Sequence, residues 1–255
     1  MKKLFPGCKI ITGRGEGSLT CFVSRNTRKL YALTAAHCVN GMGDMVFFGE
    51  NTNRKFLGSV VQLTDGEEAS WDAALIEVAD SVARRMAARN FEAVVKGFST
   101  SLRRALDPAD VHGADRTIQA YHAGHKSELL GGTDYGAYPG LVDLGATAGA
   151  HRIERPRLTL TNRMTRRGDS GGPIFTAHSD LVGFVSIGLR GGDDHNSASD
   201  TRIILAQTVL EYFGATLATL MNEATWRPAA LPEPDEDEDP FANPFANARW
   251  VNSGL

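Results

Sequence analysis

Short apolar runs broken by glycine, asparagine and aspartate dominate the first third of the chain. Cys21-Phe22-Val23, Leu30-Tyr31-Ala32-Leu33-Thr34, Met45-Val46-Phe47-Phe48, Leu57-Gly58-Ser59-Val60-Val61 and residues 73–78 have the length and β-branched or aromatic content of strands. No helical periodicity separates them. Residues 1–79 are therefore expected to form one closed or sandwiched all-β unit.

The pattern changes over residues 80–112. Val82-Ala83-Arg84-Arg85-Met86-Ala87-Ala88-Arg89 favours helix, and Asp80 or Ser81 can cap it. This stretch reads as a helical connector whose arginines form a solvated face. Strand-like runs resume at Thr117-Ile118-Gln119-Ala120-Tyr121 and at Arg157-Leu158-Thr159-Leu160-Thr161. They continue in Pro173-Ile174-Phe175, residues 181–187 and Ile203-Ile204-Leu205-Ala206, which places a second β unit over 113–206. Val209, Leu210, Phe213, Leu217 and Leu220 recur at helical spacing, so a closing helix is expected over 208–222, within a segment bounded at 207–224. Residues 225–255 read as an acidic tail. Leu231-Pro232-Glu233-Pro234-Asp235-Glu236-Asp237-Glu238-Asp239 lacks the apolar content to fold. The repeat Pro240-Phe241-Ala242-Asn243, Pro244-Phe245-Ala246-Asn247 is a candidate docking element for a partner, or an incidental part of a solubilising tail.

At 255 residues the chain can bury a substantial core. Its formal net charge of −3 gives no overall drive toward nucleic acid or an anionic membrane. No apolar run has the length of a membrane span. Met1-Lys2-Lys3-Leu4-Phe5-Pro6-Gly7-Cys8 starts with basic residues but breaks before any apolar signal region, so a cytoplasmic protein or a domain released from a precursor is expected. Three cysteines allow one bridge, such as Cys21 with Cys38, or three thiols in a reducing compartment.

Three short segments carry the chemistry. Gly168-Asp169-Ser170-Gly171-Gly172-Pro173 is a tight turn that exposes a serine hydroxyl beside backbone N–H groups. Leu33-Thr34-Ala35-Ala36-His37-Cys38 supplies an imidazole, and Trp71-Asp72-Ala73-Ala74-Leu75-Ile76 a carboxylate ahead of an apolar run. In chain order they provide a base, an orienting acid and a nucleophile. Other signals are weaker. Gly13-Arg14-Gly15-Glu16-Gly17 lacks the strand and helix context of a nucleotide loop. Histidines 112, 122, 125, 151 and 178 have no metal-ligand spacing, and Asp193-Asp194-His195 reads as an exposed loop. No cofactor or metal is expected.

With these segments the chain resembles the trypsin/chymotrypsin family of serine proteases, and in layout its shorter bacterial members. The resemblance spans about residues 17–222. It implies two six-stranded antiparallel β-barrels with a C-terminal helix, and an active site in the groove between them. It implies His37, Asp72 and Ser170 as the triad, with Asp72 preferred over Asp44 and Asp65 because it directly precedes an apolar strand. The N–H groups of Gly168 and Ser170 would form the oxyanion hole. Met164, Ser186, Gly188 and Asp200 would line the substrate pocket, with Asp193 and Asp194 as alternatives to Asp200. Met164 removes an acid from the pocket base, and a carboxylate at Asp200 would favour cleavage after Arg or Lys. Cys21 and Cys38 are spaced like the bridge that ties the histidine loop to the preceding strand.

The resemblance also demands a cationic partner for Asp169. Candidates are a new N-terminus released within Lys9-Ile10-Ile11-Thr12-Gly13, or an internal cation at His122 or Arg116. Arg152, Arg155, Arg157, Arg163, Arg166 and Arg167 bias the approach to Ser170 positively, and residues 233–239 could fold back onto them. The reading is an intracellular, regulated serine endopeptidase acting on protein or peptide substrates. A viral polyprotein protease domain and an inactive protease-like binding module are the alternatives.

Overall fold

The structure, a computed structural model, describes residues 4–25, 29–50, 52–64, 72–95, 101–111, 117–126, 138–144, 157–160, 165–188, 197–198 and 200–222. Seven strands lead the chain: β1 (Lys9–Thr12), β2 (Gly15–Ser18), β3 (Cys21–Ser24), β4 (Leu30–Thr34), β5 (Met45–Glu50), β6 (Asn53–Leu63) and β7 (Ala74–Val78). Helix α1 (Asp80–Ala87) and the short β8 (Phe91–Glu92) follow. The second half contributes β9 (Thr117–His122), β10 (Tyr138–Asp143), β11 (Arg157–Leu160), β12 (Thr165–Arg166), β13 (Pro173–Phe175), β14 (Leu181–Gly188), β15 (Ser197–Ala198) and β16 (Asp200–Leu205). Helix α2 (Ala206–Phe213) then leads into β17 (Thr216–Leu217) and β18 (Leu220–Met221).

The architecture is mostly β, with two short α-helices among the described residues. The second half closes into a six-stranded antiparallel barrel in the order β10-β11-β16-β14-β13-β9. The first half differs from the expected six-stranded barrel. It is an eight-stranded sheet, β17-β3-β4-β7-β6-β5-β1-β2, whose described pairs leave β17 and β2 at the edges. The eighth strand comes from the closing segment expected to be helical to residue 222. Gly214 takes a left-handed φ of 57° and stops α2 there, as glycine does at many helix ends. Thr216 and Leu217 then pair with Ser24 and Val23.

Two further stretches depart from the sequence reading. The connector is helical only to Ala87, and Asn90 turns the chain with a φ of 48°. Beyond it Ala93 and Val95 are buried while Glu92 is exposed, so the segment runs extended at a period of two. Strand β1 is a short β-branched run, Lys9-Ile10-Ile11-Thr12, whereas β2, Gly15-Glu16-Gly17-Ser18, carries little strand propensity of its own. They form because Ile10 and Ile11 pair on one side with Gly17 and Glu16, and on the other with Phe48 and Phe47.

The core explains why the middle strands read as unbroken apolar runs. Phe22, Leu30, Ala32, Ala74, Ile76 and Val78 face one cluster inside the first half. Their neighbours Cys21, Val23, Tyr31, Leu33, Ala73 and Leu75 face the opposite way, into a second cluster. That cluster also receives Phe175, Leu181, Phe184, Ile204, Val209, Leu210 and Phe213 from the second half. The alternate residues Ile174, Val182, Val185 and Ile203 fill the second barrel. Strands from both halves thus bury both faces, and the shared cluster joins them into one body. Truncating this seam should be costly. Phe184 is fully buried, and Phe184→Ala is expected to lower stability by about 3–5 kcal/mol in urea unfolding.

Candidate active site

His37 lies on a single 3-10 turn, Ala36–Cys38, that follows β4. Asp72 stands just ahead of β7, the strand that pairs with β4. The pairing brings the two segments side by side, and the Ala36 N–H donates to the Asp72 carbonyl at 3.1 Å. The carboxylate then holds the histidine twice. Its Oδ1 accepts the His37 backbone N–H at 2.8 Å, and its Oδ2 lies 2.5 Å from Nδ1 of the ring. A third donor, Ser186 Oγ on β14, reaches Oδ2 at 2.6 Å.

These contacts set the charges. Burial works against a charged His37 ring, but the hydrogen bond and charge of Asp72 outweigh it and raise the pKa above the ordinary histidine value. Burial alone would raise Asp72, whereas its bonds from His37 and Ser186 hold it below the ordinary carboxylate value. The site therefore stabilises an imidazolium beside a fixed carboxylate.

Ser170 sits on the turn between β12 and β13. Its Oγ donates to the Ser186 carbonyl at 3.3 Å, and no hydrogen bond joins it to His37 among the described residues. The turn is fastened to both halves. The Ser18 N–H donates to the Ser170 carbonyl at 2.8 Å, Ser18 Oγ to the Gly168 carbonyl at 2.8 Å, and Thr20 Oγ1 to the Gly171 carbonyl at 2.6 Å. On the second-half side, Gly171 N–H donates to the Val185 carbonyl at 2.7 Å. Gly168 has a φ of 108°, a conformation that strains any residue with a side chain. Among the described residues, neither the Gly168 nor the Ser170 N–H is spent on a protein acceptor.

Asp169 points the other way, into the interior, and is fully buried. Its Oδ1 accepts the Lys126 N–H and its Oδ2 the Arg166 N–H, each at 2.9 Å. His122, also fully buried, places Nε2 4.0 Å from Oδ2. Neither ring nitrogen of His122 has a hydrogen-bond partner among the described residues. Of the candidate cations, His122 is the one brought to Asp169. Arg116 lies outside the described residues. Ile10 is buried on β1, paired on both sides with β2 and β5, so a new N-terminus there would first require these pairings to open.

A sequence model of the family described as "Trypsin-like peptidase domain" matches residues 19–184. The chain belongs to this family. Its fold is also that of solved serine proteases. Thermobifida fusca protease A superposes with a TM-score of 0.54 at 18% identity, covering 84% of this chain and 98% of that one. A glutamic acid specific serine protease, described as utilizing a histidine triad in substrate binding, gives 0.52 at 16% identity over 84% and 100%. Nocardiopsis protease gives 0.51 at 19% identity over 84% and 98%. Identities this low speak for the fold alone. No match was found among curated proteins.

One expected bond of this trypsin-like peptidase domain is not formed. Cys21 and Cys38 are both free thiols, which corrects the expected disulfide. Both border the shared cluster, but Cys38 Sγ is directed at the Ser170 carbonyl, 3.8 Å away. Cys21 is fully buried on β3, and burial raises its thiol pKa well above the usual range. Ser186, expected in the pocket, has a fully buried side chain that bonds Asp72. Gly188 ends β14 opposite Thr201, and Asp200 opens β16 opposite Thr159. Met164, Asp193, Asp194, Arg152, Arg155, Arg163 and the tail with residues 233–239 and 240–247 lie outside the described residues. Asp44 accepts the Asn40 N–H at 2.9 Å and is not the partner of His37; Asp65 lies outside the described residues.

Burial pushes the His122 pKa below its ordinary value, with the Asp169 charge opposing. An unfolded ring therefore takes up a proton before the folded one does. The stability tied to neutral His122 is complete above the ordinary histidine pKa and falls away as the pH drops from there toward the folded value. Urea unfolding at about pH 7 and about pH 5 should show this loss, and His122→Gln should make it smaller.

Proposed function

We propose that this trypsin-like peptidase domain is a serine endopeptidase that works through the triad His37, Asp72 and Ser170 and an acyl-enzyme. The observation that carries the reading is the double grip of Asp72 on His37, backbone N–H and ring Nδ1 together, reinforced by Ser186. That grip places the acceptor nitrogen on Nε2, the atom that must face the nucleophile.

The steps follow from the groups present. Ser170 Oγ rotates from the Ser186 carbonyl toward His37 Nε2, which takes its proton as the oxygen attacks the scissile carbonyl. The unspent N–H groups of Gly168 and Ser170 receive the developing oxyanion. The imidazolium, stabilised by Asp72, returns its proton to the leaving amine. Water then repeats the sequence against the acyl-enzyme and frees Ser170.

The reading extends to specificity. Asp200 opens β16 beside Thr201, which faces Gly188 at the end of the strand that carries Ser186. Asp200 is the acid that the family resemblance assigns to the substrate pocket, and a carboxylate there would pair with a basic side chain, so cleavage after Arg or Lys is the preference we assign. A peptide library cut after Arg and Lys, with Asp200→Ser abolishing the preference, supports this assignment. Cleavage confined to Leu, Phe or Glu sites overturns it.

The central test is labelling by a fluorophosphonate probe. The parent is expected to take one label, and Ser170→Ala none. Ser170→Ala or His37→Ala should lower kcat on a cleaved peptide by about 10⁴- to 10⁶-fold, the range of triad removals in serine proteases of this and the convergent subtilisin fold. A folded parent that takes no label would instead be a binding module built on a protease fold.

A further inference from the structure

Glu16 lies on β2, apart from the triad and the oxyanion donors, yet three basic groups converge on its carboxylate. Lys9 from β1 pairs with Oε1. His125 Nε2 and Lys126 Nζ share Oε2 at 3.1 and 3.0 Å. The last two belong to the segment after β9, which leans on the nucleophile turn. The His125 N–H donates to Ser18 Oγ at 2.9 Å, and that hydroxyl donates to the Gly168 carbonyl at 2.8 Å. The Lys126 N–H donates to Asp169 Oδ1 at 2.9 Å. The Lys126 stem also crosses Gly168 closely, since a β-carbon there would meet its Cγ at 2.8 Å and its Cε at 3.2 Å.

We propose that Glu16 is a positioning residue for the oxyanion-binding turn, anchoring the strap His125–Lys126 that holds Gly168 and Asp169 in place. The inference rests on the triad reading above for its catalytic consequence. Burial disfavours the Glu16 anion, but bonds from Lys9, Lys126 and His125 keep its pKa well below the usual carboxylate range. The anchor is therefore charged at any pH where a histidine base works. Without it, two ammonium groups and an imidazole face one another with no anion between them. The Lys126 stem then lifts from Gly168, and the glycine peptide, already in a left-handed conformation, is free to rotate its N–H out of the site.

Glu16→Gln keeps the shape and removes the charge. Its kcat is expected to fall by about tenfold to hundredfold, below the loss from deleting one oxyanion donor outright, while KM stays within about twofold. Lys126→Met should reproduce the defect, Lys126→Arg should retain most of the activity, and the double variant Glu16→Gln/Lys126→Met should add little to either single change. A second readout needs no turnover. The backbone amide resonances of Gly168 and Ser170 should shift in Glu16→Gln and stay in place in Glu77→Gln, which breaks only the surface pair with Lys29. If those amides do not move, the proposal fails even when the parent is a confirmed protease. It fails equally if kcat per fluorophosphonate-labelled site equals the parent's. If the parent takes no label, the amide shifts decide the positioning role alone, and the two readings stand or fall separately.

Discussion

Leu33 on β4, Leu75 on β7 and Phe184 on β14 meet in one apolar cluster that neither half of the molecule could bury alone. Each strand has a second set of side chains committed to its own half, so rotation about the strand cannot relieve the seam. Period-two geometry turns this into a constraint on the site. β4 must end where the histidine turn begins, and β7 must start where Asp72 stands. Ser186, two residues beyond Phe184, then arrives with its hydroxyl on Asp72 and its carbonyl on Ser170.

The Ser170 turn answers to a second constraint. Asp169 is an anion with no exposure, and its carboxylate is met by two backbone N–H groups with His122 nearby. A buried anion of this kind demands partners, and satisfying them fixes the backbone on either side. The N–H groups of Gly168 and Ser170 have no protein acceptor among the described residues. Glu16, Lys9, His125 and Lys126 extend the arrangement toward the surface, where the same electrostatic logic acts through a partly exposed ion cluster. Lys126 touches both sides of this turn, its N–H on the Asp169 carboxylate and its stem against Gly168.

Most strands of the middle of each half were legible because their apolar residues are consecutive and bounded by turn formers. β2 was not, since Gly15 to Ser18 is polar and glycine-rich and becomes strand only by pairing with β1, which β5 holds on its other side. The helix expected to run to residue 222 ends at Gly214, where pairing of Thr216 and Leu217 with β3 wins over helical periodicity. At the site, His37, Asp72 and Ser170 stood out from their local sequence context. The spacing of Cys21 and Cys38 suggested a bridge, but orientation decides a disulfide, and Cys38 turns toward the Ser170 carbonyl. Ser186 was visible only as a cleft residue, because a hydroxyl's partner cannot be read from its neighbours in the chain.

By itself the sequence determined which chemical groups are available and what local backbone each prefers. It specified a serine in a glycine turn, a histidine after an apolar strand, an aspartate before another, and the alternation that buries both strand faces. Those are properties of residues close together in the chain, set by sterics and periodicity. Tertiary structure alone decided the partners: Ser186 for Asp72, His122 for Asp169, and Lys9, His125 and Lys126 for Glu16. Each pair spans many residues, and its existence depends on how two packed halves bring low-dielectric, geometrically exacting contacts within about 3–4 Å. No local pattern encodes such a distance, because it is fixed only when both cores are full.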